Sequence, residues 1–156
     1  MTDSAALAAF LLRAKRATYA AQGDDATVAP LLPGSRQLEY READLFYRDV
    51  YYGLTKFAGL ETVHAGDVPR WSMAYAGGVL PTTSEAQMRH VYAFLREALS
   101  RGTMDAPFRG PARHASSGHE YVNEWRGGLE DFTGAELIRH DGAVVYRLTY
   151  AGGGVR

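Results

Sequence analysis

The sequence predicts an α+β fold: two α-β-β-β units joined edge to edge into an antiparallel sheet of six or seven strands, with both helices on one face and a pseudo-twofold between the units. Three observations predict it. The first is a repeat at a spacing of 75 residues, in which Phe57-x-Gly59-x-Glu61 returns as Phe132-x-Gly134-x-Glu136 and Tyr75-Ala76-Gly77-Gly78 as Tyr150-Ala151-Gly152-Gly153. With Gly53-Leu54 matching Gly128-Leu129, nine of the 32 positions in 49–80 are identical to their counterparts in 124–155. The second is a pair of amphipathic helical patterns, one ahead of each copy. The third is strict alternation on the last strand of each copy.

Taken in chain order, residues 4–20 carry Leu7, Phe10, Leu11, Ala14 and Thr18 on one helical stripe, with Asp3 or Ser4 as N-cap. The segment 21–44 is an insert with no counterpart in the second half. It holds a turn at Pro30-Leu31-Leu32-Pro33-Gly34 and an extra strand over Gln37–Arg41, and it is long enough to close over a cleft as a lid. Strands follow at about 45–53, 59–65 and 70–77, the last two turned at Ala65-Gly66-Asp67. Trp71, Met73 and Tyr75 alternate with Ser72 and Ala74, which sends the large residues inward.

The second unit starts near Leu80-Pro81, so the chain reads as one domain of two repeats, 1–80 and 81–156. Its helix, 83–101, shows Met88, Val91, Leu95, Ala98 and Leu99, with Thr82-x-x-Glu85 as a capping box and Gly102 at the C-terminal end. A loop rich in Gly, Pro, Ser and His spans 103–119. Strands follow at about 120–127, 134–140 and 143–151, with a turn at His140-Asp141-Gly142 and with Tyr146, Leu148 and Tyr150 inward.

Bulk properties exclude several classes. A net charge of −1 offers no polyanion partner, so no direct nucleic-acid role is expected. With no cysteine there are no disulfides and no thiolate metal sites. No segment has the ~20 apolar residues of a membrane span, and the N-terminus does not read as a signal peptide, so a cytoplasmic, soluble protein is expected. No phosphate-binding glycine loop and no G-x-S-x-G elbow occurs. His114 and His119 lie five apart in the loop without a convincing ligand set, so neither metal nor cofactor is expected.

Candidate chemistry rests on polar residues that the alternation places inside. On the first strand of each copy the inward series reads Phe46, Arg48, Val50, Tyr52 and, equivalently, Tyr121, Asn123, Trp125. Glu61 and Glu136 share a face with Val63 and Ile138. A buried carboxylate needs a partner: either it pairs with Arg48 or a backbone amide, or it faces a cleft as ligand contact or general base. Ten tyrosines and two tryptophans cluster on the same strands, as core or as an amphipathic pocket wall.

The run Tyr47-Arg48-Asp49-x-Tyr51-x-Gly53, Phe57-x-Gly59-x-Glu61 and Pro69-x-Trp71-x-Met73-x-Tyr75 resembles an uncharacterised bacterial domain family. So do Phe108-Arg109-Gly110-Pro111 and Tyr146-x-Leu148-x-Tyr150-x-Gly152-Gly153. Members look like stand-alone proteins or C-terminal extensions of helix-turn-helix regulators, and the resemblance brings no activity with it. In architecture alone the chain is similar to GyrI-like drug-sensing domains, which implies a glutamate among aromatics in a cleft at the pseudo-twofold.

These readings converge on a small-molecule-binding domain with an aromatic, carboxylate-containing cleft at the repeat interface. Arg48, Glu61, Trp71, Tyr75, Asn123 and Glu136 are expected to line it, backed by Tyr52, Trp125 and Tyr150, for a cationic or hydroxyl-rich ligand. The functional groups are expected mainly in the first copy. Two alternatives stand beside this: a small cofactor-free hydrolase or isomerase using a glutamate and a tyrosine, and a protein-interaction module.

Overall fold

The computed structural model describes residues 3–21 and 27–156. Helix α1 (Ser4–Ala17) starts where Asp3 accepts the Ala5 amide, and a short 3-10 turn, Tyr19–Ala21, follows it. The chain then forms β1 (Thr27–Val28), β2 (Arg36–Glu42), β3 (Leu45–Gly53), β4 (Lys56–Ala65) and β5 (Val68–Val79). After α2 (Glu85–Ser100) come β6 (Arg113–Ser116), β7 (His119–Gly128), β8 (Asp131–His140) and β9 (Ala143–Gly154). All strands join one antiparallel sheet in the order β1-β2-β3-β4-β5-β9-β8-β7-β6. The described residues thus make nine strands, where the sequence reading expects six or seven. The seventh is β2, the extra strand expected over Gln37–Arg41; beyond it come β1, also from the insert, and β6 from a stretch expected to be loop.

β5 and β9 meet at the centre, pairing Tyr75 with Tyr150. Their inward residues, Trp71, Met73 and Tyr75 with Tyr146, Leu148 and Tyr150, join Leu7, Phe10 and Leu11 of α1 and Val91, Phe94 and Leu95 of α2 in one buried cluster. Both helices therefore cover the same face. Each large apolar side chain buried there is worth roughly 1.5–3 kcal/mol, which holds α1 down even though the buried Lys15 lies on its inner stripe.

Helix α2 begins later than the sequence suggests. Ser84 and Gln87 form the capping box instead of Thr82 and Glu85, because the preceding residues tie the linker to β9: the Leu80 amide donates to the Val145 carbonyl, and Thr83 Oγ1 donates to the same oxygen. Gly102 is not in a left-handed conformation. It is buried, and a Cβ there would come within 3.0 Å of the Arg109 carbonyl oxygen, so close approach explains it.

The facing of β3 corrects the sequence reading. Tyr47 and Asp49 are buried on the helix side, whereas Arg48 and Tyr52 point to the other face, Tyr52 with 45% of its surface exposed. Alternation misleads here because Phe46 on the outer face is also buried, covered by the guanidinium groups of Arg41 and Arg48 at 3.7 and 4.9 Å from its ring centre. The constant spacing fails at the same place. β3 closes on β4 with Gly53 opposite Phe57, but β7 closes on β8 with Gly127 opposite Phe132, one residue further on. Asp49 therefore stands opposite Glu61 as Asn123 stands opposite Glu136.

Candidate functional site

A pocket of about 360 Å³ opens on the helix side of the first half. Exposed Thr27, Arg36, Gly53 and Leu54 rim it. Its floor is Lys15, Tyr47, Asp49, Glu61, Tyr75 and Arg109, all buried. Tyr51 and Phe57 of the sheet, Tyr19 of the 3-10 turn, and Tyr92, Leu95, Arg96 and Leu99 of α2 form the walls.

Strand register assembles the floor. Glu61 lies directly across from Asp49 on one side and from Met73 on the other. Tyr75 lies across from Gly59, and its ring covers that glycine so closely that a Cβ would sit 2.3 Å from the hydroxyl oxygen. With no side chain at Gly59, Tyr75 lies along the sheet and its hydroxyl donates to Asp49 Oδ1 at 2.7 Å. From above, Lys15 bonds Glu61.

Electrostatics in the floor are tightly coupled. Burial pushes the Asp49 carboxyl up to about 7; the charge of Glu61 adds to the rise, while the Tyr75 bond and Lys15 oppose it. Burial also lowers Lys15 from its ordinary value, against the attraction of Glu61. The Tyr75 hydroxyl is raised well above the usual range by burial and by Asp49. Of the two carboxyl groups on the floor, Glu61 is bonded to Lys15 and Asp49 is poised between its two states near neutral pH.

The second half places the same residue types differently. Tyr150 covers Gly134 and donates to Asn123 Oδ1 at 2.7 Å. The space above them is filled by Ala106–Gly110, which is buried throughout. Phe108 stacks on Phe132 at 4.1 Å, and the Gly110 carbonyl accepts from Asn123 Nδ2 at 2.9 Å. Arg109 bonds Glu136 through Nε and Nη2, and Glu136 also accepts from Tyr121 and Tyr146. Burial works against the Arg109 charge, but Glu136 outweighs it and raises the guanidinium well above its ordinary value. The plug leaves no opening at Glu136.

Of the residues expected to line a cleft, Glu61 and Tyr75 line this pocket. Asn123, Glu136 and Tyr150 are buried beneath the plug. Trp71 is fully buried, stacked on Phe132, with its indole N–H donating to the Leu129 carbonyl at 3.1 Å. Trp125 packs edge-on against Phe108. Arg48 bonds Glu39 at 3.0 Å on the outer face, and Tyr52 shares that face. The partner of Glu61 is therefore Lys15, not Arg48. The described part of the insert forms edge strands, with Thr27, Arg36 and Leu38 at the pocket; residues 22–26 of the expected lid lie outside the described residues.

Sequence reasoning missed Lys15, Asp49, Arg96 and Arg109. Lys15 had a signal, since it continues Leu7 and Leu11 at i+4 on the apolar stripe. Asp49 follows from the corrected facing of β3. Arg109 sits in a loop, where no periodicity marks burial.

Among the described residues, no group of three or more His, Asp or Glu is placed to hold a metal ion, and no helix is long and apolar enough to cross a membrane. Comparison with curated proteins and with solved structures finds no match to this chain. One family does match, over residues 49–155, which takes in all of β4–β9, α2, the plug and the Asp49–Glu61–Tyr75 floor. The chain belongs to that family, described as Domain of unknown function (DUF5680).

Proposed function

We propose that this protein is a small-molecule-binding domain whose ligand enters the first-half pocket. The observation that carries this reading is the contrast between the halves: the same strand positions are sealed by a plug over Asn123 and Glu136, and open onto a cavity over Asp49 and Glu61. A cavity of this size with aromatic walls and a few convergent polar groups is what ligand sites are made of. On this reading the halves are copies of one unit, related by a pseudo-twofold, of which the first kept a binding site and the second became structural. Four cations and two carboxylates line the pocket, which favours a hydroxyl-rich ligand over a cationic one.

Thermal-shift screening against a metabolite and cationic-drug library tests the proposal, since a ligand that binds only the folded state raises apparent stability by mass action. Hits should be lost in Tyr51→Ala and Glu61→Gln and kept in Trp125→Phe. Hits that follow Trp125 and ignore the lining residues would place the ligand elsewhere and end this reading.

A second reading is favoured by one observation, the Asp49 carboxyl near 7 at the pocket floor. A group titrating there is matched to general acid–base work, with the Tyr75 hydroxyl beside it as a hydrogen-bond donor. The protein would then be a small cofactor-free hydrolase or isomerase. Turnover that survives both Asp49→Asn and Tyr75→Phe would remove these groups from any mechanism.

A further inference from the structure

The charges around the pocket are unevenly satisfied. Lys15 is bonded to Glu61, and Arg109 to Glu136. Arg36 and Arg96 have no acidic partner among the described residues. Arg36 stands at the exposed rim, where water solvates it. Arg96 is different: it projects from α2 into the pocket wall, and its Nε is buried with no hydrogen-bond partner among the described residues. A buried N–H of a charged group left unpaired is costly, and native structures rarely keep one without a purpose.

Its neighbours point the same way. Arg109 uses Nε and Nη2 on Glu136, which leaves Nη1 without a partner among the described residues, and this side chain also lines the pocket. The Tyr19 hydroxyl lies in the field of both arginines; burial holds it up to about 12, so it stays a neutral donor. Three donors thus line one pocket. Glu61 and Asp49 of the floor provide acceptor oxygens, and Tyr51, Phe57, Tyr75 and Tyr92 line the same cavity.

Resting on the small-molecule reading above, we infer that the ligand is a small organic acid with an aromatic or flat apolar body, its carboxylate held by Arg96, Arg109 and Tyr19, and a hydroxyl at its far end donating to the Asp49–Glu61 floor. A guanidinium–carboxylate contact in a partly dry site is among the stronger polar interactions available, and the floor supplies the acceptor a hydroxyl needs.

Three probes with one body and three charges test this by calorimetry on the full chain: 4-hydroxyphenylacetate, 4-hydroxyphenylethanol and tyramine. The acid is expected to bind at least about tenfold more tightly than the alcohol and the amine. Arg96→Gln should weaken the acid about tenfold and leave the alcohol unchanged, Arg96→Lys should restore part of the loss, and Arg89→Gln, an exposed change on the same helix, should do nothing. Equal or tighter binding of the amine or alcohol overturns the inference, as does acid binding indifferent to Arg96, or none at millimolar concentration. If the alcohol or amine binds and depends on Tyr51, the pocket stands and only the ligand class falls. If none of the three binds and the library gives no hit that depends on a lining residue, both readings fall.

Discussion

Asp49 and Glu61 face each other across β3 and β4, 5% and 2% exposed, with Lys15 bonded to Glu61. Burial, with the charge of Glu61 adding to it, holds the Asp49 carboxyl above its ordinary range. Its equivalent in the closed half is Asn123, an isostere that needs no proton. The first half therefore sets two carboxyl groups against each other where the second sets a carboxylate against an amide.

That contrast predicts the behaviour of Asp49→Asn. Asp49 titrates near 3.8 when unfolded and near 7 when folded, so the folded state holds its proton longer. The wild type should lose stability as pH rises from about 4 to about 7, by up to a few kcal/mol at roughly 1.4 kcal/mol per unit. The variant lacks this loss. The difference in Tm between variant and wild type should grow by about 5 °C or more from pH 4 to pH 8. Thermal unfolding across that range checks it; a difference constant with pH would mean Asp49 is not perturbed.

Lys15→Met should be among the most damaging single changes. It leaves Glu61 as an uncompensated buried charge, a loss of about 3–5 kcal/mol. Adding Glu61→Gln should recover most of it, because the burial cost of the ion disappears with its charge. Denaturant titration of the two single variants and the double variant measures the coupling, and additive losses would show that the two side chains act independently.

Gly59→Ala should push the Tyr75 ring off the sheet, since a Cβ would lie 2.3 Å from its hydroxyl oxygen, and so break the bond to Asp49. Gly134→Ala meets the Tyr150 ring at 2.2 Å in the same way. Both are expected to cost about 1–3 kcal/mol as overpacking. Only the first should also weaken ligand binding, because only Tyr75 borders the pocket. Equal effects on binding would place the site between the halves instead.

Both helices, all six long strands except the facing of one, and the inward position of both glutamates were legible in the sequence. Periodicity succeeds where one face is apolar and the other small or polar, as on Trp71-Ser72-Met73-Ala74-Tyr75. It fails on Phe46–Tyr52, where aromatics occupy both faces and arginine stems bury Phe46 from outside. A gapless alignment then compounded the error, since one extra residue in the β7–β8 turn sets Asn123 against Arg48 in sequence but against Asp49 in space. The plug was invisible for another reason. Ala106–Gly110 is irregular backbone held by Phe108 stacking and by bonds to Tyr121 and Asn123, contacts that no local pattern announces. Without the plug, the two halves look like two equal candidate sites.

The final prediction concerns the far edge of the sheet, where the pH dependence runs the other way. His119 of β7 stacks on His140 at 4.3 Å and on Phe94 of α2 at 5.1 Å. Burial lowers its pKa, the nearby His140 and His90 lower it further, and the bond to the Ser117 carbonyl and the charge of Asp141 oppose the shift. A histidine whose folded value lies below its ordinary 6.5 resists the proton, so its stability contribution is complete above about 6.5 and declines as pH falls below that. His114 also stacks on Phe94 and bonds Glu97 at 2.8 Å. His119→Phe keeps the stacking and removes the titration. The Tm difference between His119→Phe and wild type should shift in the variant's favour as pH falls from 7 to 5, and combined with Asp49→Asn the profile should flatten on both sides. If the wild-type and His119→Phe curves stay parallel over that interval, the acid limb belongs to other groups, and the histidine stack is packing alone.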